Sequence, residues 1–446
     1  MNITEQWIEY LNEMNARPVT TDIINMVKKC LIDYLGCAYY GEYVNRSQES
    51  LYINSILSEH GDASIIGRNA RVPAATAALI NGFNAHTAEL DDGHRKAMLH
   101  PGSVAFSALL AVAQEQHMSV KKFICGIIMA YEATISLGQA IQPGHKMKGF
   151  HATGTCGTIG AAVGLAYAMD YTTEQLRSTV SASATSASGL LQLIDDGSEL
   201  KPYNIGRAAL DAVMAFHWGK TGMHGPGDPL GGERGFFNNL TSGFNEEKLL
   251  GGNGKYRIEG IYRKPYAACR HCHAPIEAAL KIQKEGCKEP DTIEKITILT
   301  YKMAIKGHDH NEIHSSAEAK MSIPFSVATA LVNGEANFRQ FDEEAVQNKD
   351  IRNVIKKISV LEDPDLTSGF PEKRSAVAIV RTDGRTYQER VDYPLGEPEN
   401  PMTEQMLTEK SHSLMKEARI TEERQEQILK AAENLEDCFE DLLKLI

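Results

Sequence analysis

The sequence predicts a mostly α protein: a multi-helix all-α domain built from both chain ends, with a smaller α+β domain inserted between them. Three observations carry this reading. Apolar residues recur at helical spacing through most of 1–260, β-branched alternation appears within 261–398, and charged amphipathic helix returns over 399–446. The last segment is expected to pack back on the helical domain, giving an order of helical domain, α+β domain and returning C-terminal helices.

Asp22 precedes I-I-N-M-V-K-K-C-L-I-D-Y-L, whose apolar positions fall three and four residues apart. Similar patterns predict helices near 74–88, 101–116, 120–140, 154–169, 173–184 and 205–219. Many are rich in Ala, Gly and Ser, which lets helix axes approach closely. The run S-A-S-A-T-S-A-S at 181–188 continues this pattern and reads as buried helix. Beyond residue 258, I-E-K-I-T-I-L-T-Y at 293–301 and the segment 376–391 read as strands, the latter folded at Asp383-Gly384 into a hairpin. Helices are expected between them at 274–284 and 325–333.

A chain of 446 residues with 42% hydrophobic and 23% charged residues has the composition of a soluble globular protein. Its longest nearly apolar runs, Gly102–Ala113 and Gly157–Met169, fall short of the roughly 18 residues that span a bilayer. No membrane association is expected. The amino terminus, M-N-I-T-E-Q-W-I-E-Y, has neither a basic nor an apolar lead, so a cytoplasmic location is expected. A net charge of −12 argues against nucleic acid as a partner while leaving room for an anionic small molecule in a local positive pocket. Eight scattered cysteines do not make a disulfide scaffold and read as mostly buried thiols.

The densest chemistry lies at His86–Pro101, H-T-A-E-L-D-D-G-H-R-K-A-M-L-H-P. It sets Glu89, Asp91, Asp92, His94, Arg95, Lys96 and His100 between two apolar segments. Carboxylates and imidazoles so placed can tune one another toward neutral pH. The competing reading is a solvated loop with Asp92 as a helix cap and Pro101 in a first turn. From this segment alone the two stand level.

His151 opens a helix and can donate to an anion beside that helix terminus, although such a histidine is more often a plain cap. Lys201 precedes another helix, where its charge opposes the macrodipole unless an anion sits between them. The segment Y-R-K-P-Y-A-A-C-R-H-C-H at 262–273 gathers Arg263, Lys264, Arg270, His271 and His273 in an otherwise acidic chain. Its C-x-x-C-H matches the haem-attachment motif, which would require export, and no second pair of zinc ligands stands at standard spacing. The Asp91, Asp92 and His94 group can in principle take a divalent ion, but its acids suit protonation and orientation better. No metal and no cofactor are therefore expected. The Gly-rich 154–160 segment lacks both the nucleotide-loop spacing and a following lysine, and reads as helix packing.

Taken in order, these segments resemble the MmgE/PrpD family. H-T-A-E-L-D-D-G-H at 86–94 with His100-Pro101, G-F-H at 149–151, L-K-P-Y-N-I-G-R-A-A at 200–209, K-P-Y-A-A-C-R-H-C-H at 264–273, K-M-S-I-P-F-S-V-A at 320–328 and Y-P-L-G-E-P-E-N-P-M at 393–402 look like its blocks. The resemblance implies a helical domain formed by both chain ends, an α+β lid and a homodimer. It also implies cofactor-independent chemistry at a carbon next to a carboxylate, as in 2-methylcitrate dehydratase, cis-aconitate decarboxylase and iminodisuccinate epimerase.

Carried over by position, it implies His100, His151, Lys201, Lys264, Asp91, Asp92 and Cys269 as catalytic residues. His94, Arg270, His271 and His273 would be substrate-binding. Two departures stand out. Glu89 and Gly93 replace the usual Asp and Thr of the acidic motif, and Cys269 stands in the place of a histidine thought catalytic in the decarboxylases. A thiol there can carry a proton if Arg270 or His271 lowers its pKa. The expectation is a lyase on a small di- or tricarboxylate. An epimerase of an iminodisuccinate-like substrate is the alternative, and a non-catalytic carboxylate-binding or scaffold protein is the alternative of another class.

Overall fold

The protein is described here as a computed structural model covering residues 1–55, 60–194, 198–251 and 254–446. It divides into two compact units. One joins Met1–Leu193, Leu200–Ile261 and Thr403–Ile446, and the other is built on Tyr262–Met402.

The first unit is helical. Its main elements are α1 (Ile3–Asn15), α2 (Thr21–Ser55), α3 (Ala74–Thr87), α4 (Pro101–Glu115), α5 (Val120–Ile141), α6 (Ala152–Ala168), α7 (Thr173–Ser186) and α8 (Tyr203–Lys220). Local chemistry sets several of the starts. Asn2 with Glu5 and Thr172 with Gln175 form reciprocal capping boxes at α1 and α7. Pro101 takes the first position of α4, where a missing N–H costs nothing. Helix α6 is buried along its length except at Tyr167, so it is a core helix and not an amphipathic one. Among the described residues α5 is the one helix long and apolar enough to cross a membrane, and 89% of that apolar window is buried inside the protein.

The second unit contributes α9 (His273–Glu285), α10 (Ile323–Asn333) and a four-stranded sheet of β1 (Ile293–Thr300), β2 (Ile358–Glu362), β3 (Ala376–Thr382) and β4 (Thr386–Val391). The strand order is β2-β1-β3-β4, with β1 and β2 parallel and the remaining pairs antiparallel. The hairpin between β3 and β4 turns at Asp383-Gly384, as expected, and Thr382 N–H donates to the Arg385 carbonyl across it at 2.8 Å. Strand β2 carried no sequence signal, because it is a short, half-exposed edge strand without clean alternation. The chain then returns to the first unit through α11 (Glu404–Glu417), α12 (Glu422–Glu433) and α13 (Leu435–Leu445).

One expectation is corrected. The S-A-S-A-T-S-A-S run is helical only to Ser186, and within it Ser183 alone is buried. The chain leaves the helix at Ala187 in an extended conformation and reaches Leu190, which bridges to Phe150. Small polar residues satisfied the helical pattern without supplying an apolar face.

Glycines do set the helix spacing. A Cβ on Gly206 of α8 would lie 2.3 Å from the Leu79 carbonyl oxygen of α3, and one on Gly160 of α6 would lie 2.7 Å from the Thr134 amide nitrogen of α5. These are backbone atoms, so no side-chain rotation relieves the clash. Gly206→Ala gains about 1 kcal/mol of helix propensity but forces two packed helices apart at a cost of about 1–3 kcal/mol. A lower melting temperature is therefore expected. An unchanged or raised one would show that α3 and α8 do not approach this closely.

Candidate active site

Helix α3 carries His86, which is fully buried near its C-terminal end. The helix ends at Ala88, and Glu89 follows in the left-handed region at φ 54°. For a residue with a Cβ this conformation costs of order 1–2 kcal/mol, and such strain tends to collect at functional sites. It turns the Glu89 carboxylate back toward its own helix. Glu89 Oε1 lies 3.2 Å from His86 Nε2, out of hydrogen-bond alignment, and pairs with the ammonium of Lys201. Lys201, whose charge opposes the dipole of the helix it precedes, thus has a protein carboxylate as a partner.

Asp91 and Asp92 are adjacent in sequence and both buried, yet they do different work. Asp91 accepts from His86 Nδ1 at 2.8 Å and from the Ser103 hydroxyl at 2.7 Å, and lies 3.6 Å from His100 Nδ1. The Asp92 carboxylate faces away, accepting from the Tyr131 hydroxyl at 2.6 Å and the Gly102 N–H at 3.0 Å. Asp92 is not the N-cap of α4, a position that His100 takes, but it accepts a first-turn N–H of that helix, while Asp91 is turned toward the imidazoles. Burial dominates the Asp92 carboxyl and, with help from Asp33 and Asp91, pushes its pKa up to about 7 against its hydrogen bonds.

His100 stands at the N-cap of α4. Its Nδ1 donates to the Asp92 carbonyl at 2.6 Å, and its backbone N–H donates to Thr153 Oγ1 at 3.1 Å. His151, the N-cap of α6, accepts at Nδ1 from Asn204 Nδ2 at 3.3 Å. The ring centre of His86 lies 4.9 Å from that of His100 and 6.3 Å from that of His151. His86 and His151 are driven in opposite directions. Burial is the largest influence on both and disfavours their charge. On His86 the Asp91 and Glu89 carboxylates outweigh it, leaving the pKa raised. On His151 the Lys201 ammonium and the neighbouring His86 and His100 imidazoles add to it, and the pKa falls well below the usual imidazole value.

His94, expected to bind substrate, is used by its own turn. Its Nδ1 accepts from the Ala97 N–H at 3.1 Å, and its backbone pairs with Leu99 and Met98. Glu89 was expected in the polar turn but given no role, His86 was not singled out, and Tyr131 and Asn204 were not anticipated. His86 and Glu89 stand three residues apart at the end of α3, a proximity that the sequence did show. Tyr131 gave none, since its link to Asp92 spans 39 residues.

Lys264, Cys269, Arg270, His271 and His273 belong to the other unit. Lys264 is fully buried. Arg270 is spent on architecture: its guanidinium bonds Glu397 at 2.8 Å and His273 Nδ1 at 2.7 Å and lies over the Tyr262 ring. His273 Nε2 donates to the Ala268 carbonyl at 3.1 Å, so this pair locks the turn and does not face outward as a substrate clamp. Cys269 Sγ lies 3.3 Å from His308 Nε2, and His271 Nδ1 lies 2.6 Å from the Tyr301 hydroxyl. His308 and Tyr301 were not anticipated.

Comparison with known proteins covers most of the chain. The MmgE/PrpD N-terminal domain matches residues 5–248 and the MmgE/PrpD C-terminal domain matches residues 266–437. The chain is 24% identical to the cis-aconitate decarboxylase-like protein oryM of Aspergillus oryzae, covering 100% of this chain and 97% of that one. It is 22% identical to cis-aconitate decarboxylase of Mus musculus, over 98% and 92% of the two chains. It is 28% identical to 2-methylcitrate dehydratase of Escherichia coli, over 37% of this chain and 38% of that one. Those relatives are lyases by name. With both of its domain models matched in order across the helical and α+β parts, the chain is an enzyme of the MmgE/PrpD family.

Proposed function

We propose that the protein is a lyase acting on a small di- or tricarboxylate, moving a proton at a carbon next to a carboxylate with no organic cofactor. The observation that carries this is the gathering of His86, His100 and His151 beside Lys201, with His86 and His151 pushed to opposite protonation. His100, whose Nδ1–H is committed to the Asp92 carbonyl, takes the proton at Nε2, and Asp91 steadies the resulting cation. Asn204 leaves the neutral His151 with its proton on Nε2, which donates to the negative charge that develops on substrate oxygen. Lys201 anchors a substrate carboxylate, shared with Glu89.

Nuclear magnetic resonance in deuterated water against cis-aconitate, 2-methylcitrate, citrate and iminodisuccinate is expected to show conversion of a citrate-like acid. Exchange without net conversion would favour the epimerase. His100→Ala should lower turnover by about 10²–10⁴, and Lys201→Ala should lower kcat/KM by about 10²–10³, both in folded protein. Wild-type kinetics in both variants would refute the assignment.

A pH effect follows from the charge balance. With His86 protonated, its charge and that of Lys201 offset Glu89 and Asp91. Once His86 is neutral, the site carries a net negative charge that repels an anionic substrate. The His86 pKa is raised above 6.5, so its charge is held below that raised value and lost as pH rises through it. KM should therefore increase on the alkaline side of 6.5. In Asp91→Asn, which removes a carboxylate that raises this pKa, the transition should move to lower pH. A wild-type KM that stays flat at every pH above 6.5 at which the protein remains folded would refute this role for His86.

We also propose a homodimer. Support comes from the exposed Tyr203, Met214 and Trp218 on one face of α8, with exposed Met223 beyond its end. Large apolar side chains grouped on a surface favour a protein partner. Sedimentation should give a dimer for the wild type and a monomer for Met214→Asp/Trp218→Asp. A wild-type monomer would exclude the dimer.

A further inference from the structure

The second unit holds a group of side chains to which the steps proposed above assign no role, although the family resemblance implies roles for Cys269 and His271. Cys269, His271 and His308 each offer one ligand-type atom, and the three atoms lie within 4.8 Å of one another. The thiol is half-buried and both imidazoles are buried. The rings of His271 and His308 meet edge to face with centres 4.9 Å apart. Cys269 and His308 are within thiol–imidazole hydrogen-bond distance at 3.3 Å, and a ligand-type nitrogen of His271 stands within 4.8 Å of both.

The surrounding contacts are compatible with metal ligation. His308 Nδ1 lies 3.1 Å from the Lys306 carbonyl oxygen, and His271 Nδ1 lies 2.6 Å from the Tyr301 hydroxyl. A ligating histidine characteristically gives its other ring nitrogen to an oxygen partner, which fixes tautomer and orientation. Both rings here favour coordination through Nε2. The backbone holds the donors in place as well. Cys269 N–H donates to the Lys320 carbonyl at 2.8 Å, and Ile323 N–H donates to the His308 carbonyl at 2.8 Å. Thiol and imidazole are thus tied to one junction, between the short helix Ser316–Met321 and α10.

We propose that Cys269, His271 and His308 bind one soft divalent ion of the zinc class. A thiolate with two imidazoles suits Zn(II) or Co(II) and disfavours the oxygen-seeking Mg(II) and Ca(II). Three protein ligands leave a fourth position for water or an anion. Binding removes the thiol proton, so metal uptake releases it to solvent. Sequence spacing hid the site because His308 lies 39 residues from Cys269.

The test is a Co(II) titration of the full-length protein after chelator treatment, followed in the near ultraviolet and by dialysis. One equivalent of Co(II) with a thiolate-to-cobalt charge-transfer band, displaced by Zn(II), is expected. Cys269→Ser should abolish the band, and both His308→Ala and the volume-keeping His308→Gln should weaken Co(II) binding tenfold or more, with circular dichroism confirming the fold. The proposal is overturned if the wild type takes up no stoichiometric cobalt. It is equally overturned if the bound cobalt shows no thiolate band, or if affinity is unchanged in folded Cys269→Ser and His308→Gln proteins.

Discussion

Everything at the candidate site depends on two neighbouring carboxylates being buried in one turn and facing opposite ways. A buried carboxylate is tolerated only where donors replace its water. Asp92 finds them in Tyr131 of α5 and the Gly102 amide of α4, while Asp91 finds them in His86 and Ser103. These partners fix where α3, α4 and α5 meet. Gly102 shows how tight the fit is, since a Cβ there would lie 2.6 Å from the Tyr131 hydroxyl and 2.8 Å from Asp92.

Electrostatics then divides the histidines. Glu89, in its left-handed conformation, connects His86 to Lys201 and helps keep a charge on a fully buried imidazole. The same cations deny charge to His151. Chemically similar side chains a few ångströms apart thereby have their pKa values displaced in opposite directions.

The returning C-terminal segment takes part in holding this turn. Lys410 of α11 donates to the Leu90 carbonyl at 2.6 Å and pairs with Asp33 of α2 at 2.5 Å, bracing the backbone just ahead of Asp91. Within the second unit, Arg270 and Glu397 play a comparable part, joining the 270–273 turn to the segment after β4 through a buried ion pair. Breaking one member of such a pair leaves an uncompensated buried charge, typically at a cost of about 3–5 kcal/mol, so both pairs act as clamps.

The sequence by itself determined the helical runs of the first unit, the β3–β4 hairpin and the position of the dense acidic turn, because these follow from local periodicity and turn chemistry. The ordered blocks also pointed to the family. The division of labour between Asp91 and Asp92 was not legible, since identical side chains one residue apart differ only in what α4 and α5 place against them. Nor was the pairing of Lys201 with Glu89, which spans 112 residues, or the approach of His308 to Cys269. The S-A-S-A-T-S-A-S run failed for the related reason that helical spacing does not say which face meets a neighbour. Burial, protonation and donor convergence are properties of contacts distant in sequence, and only the folded chain creates them.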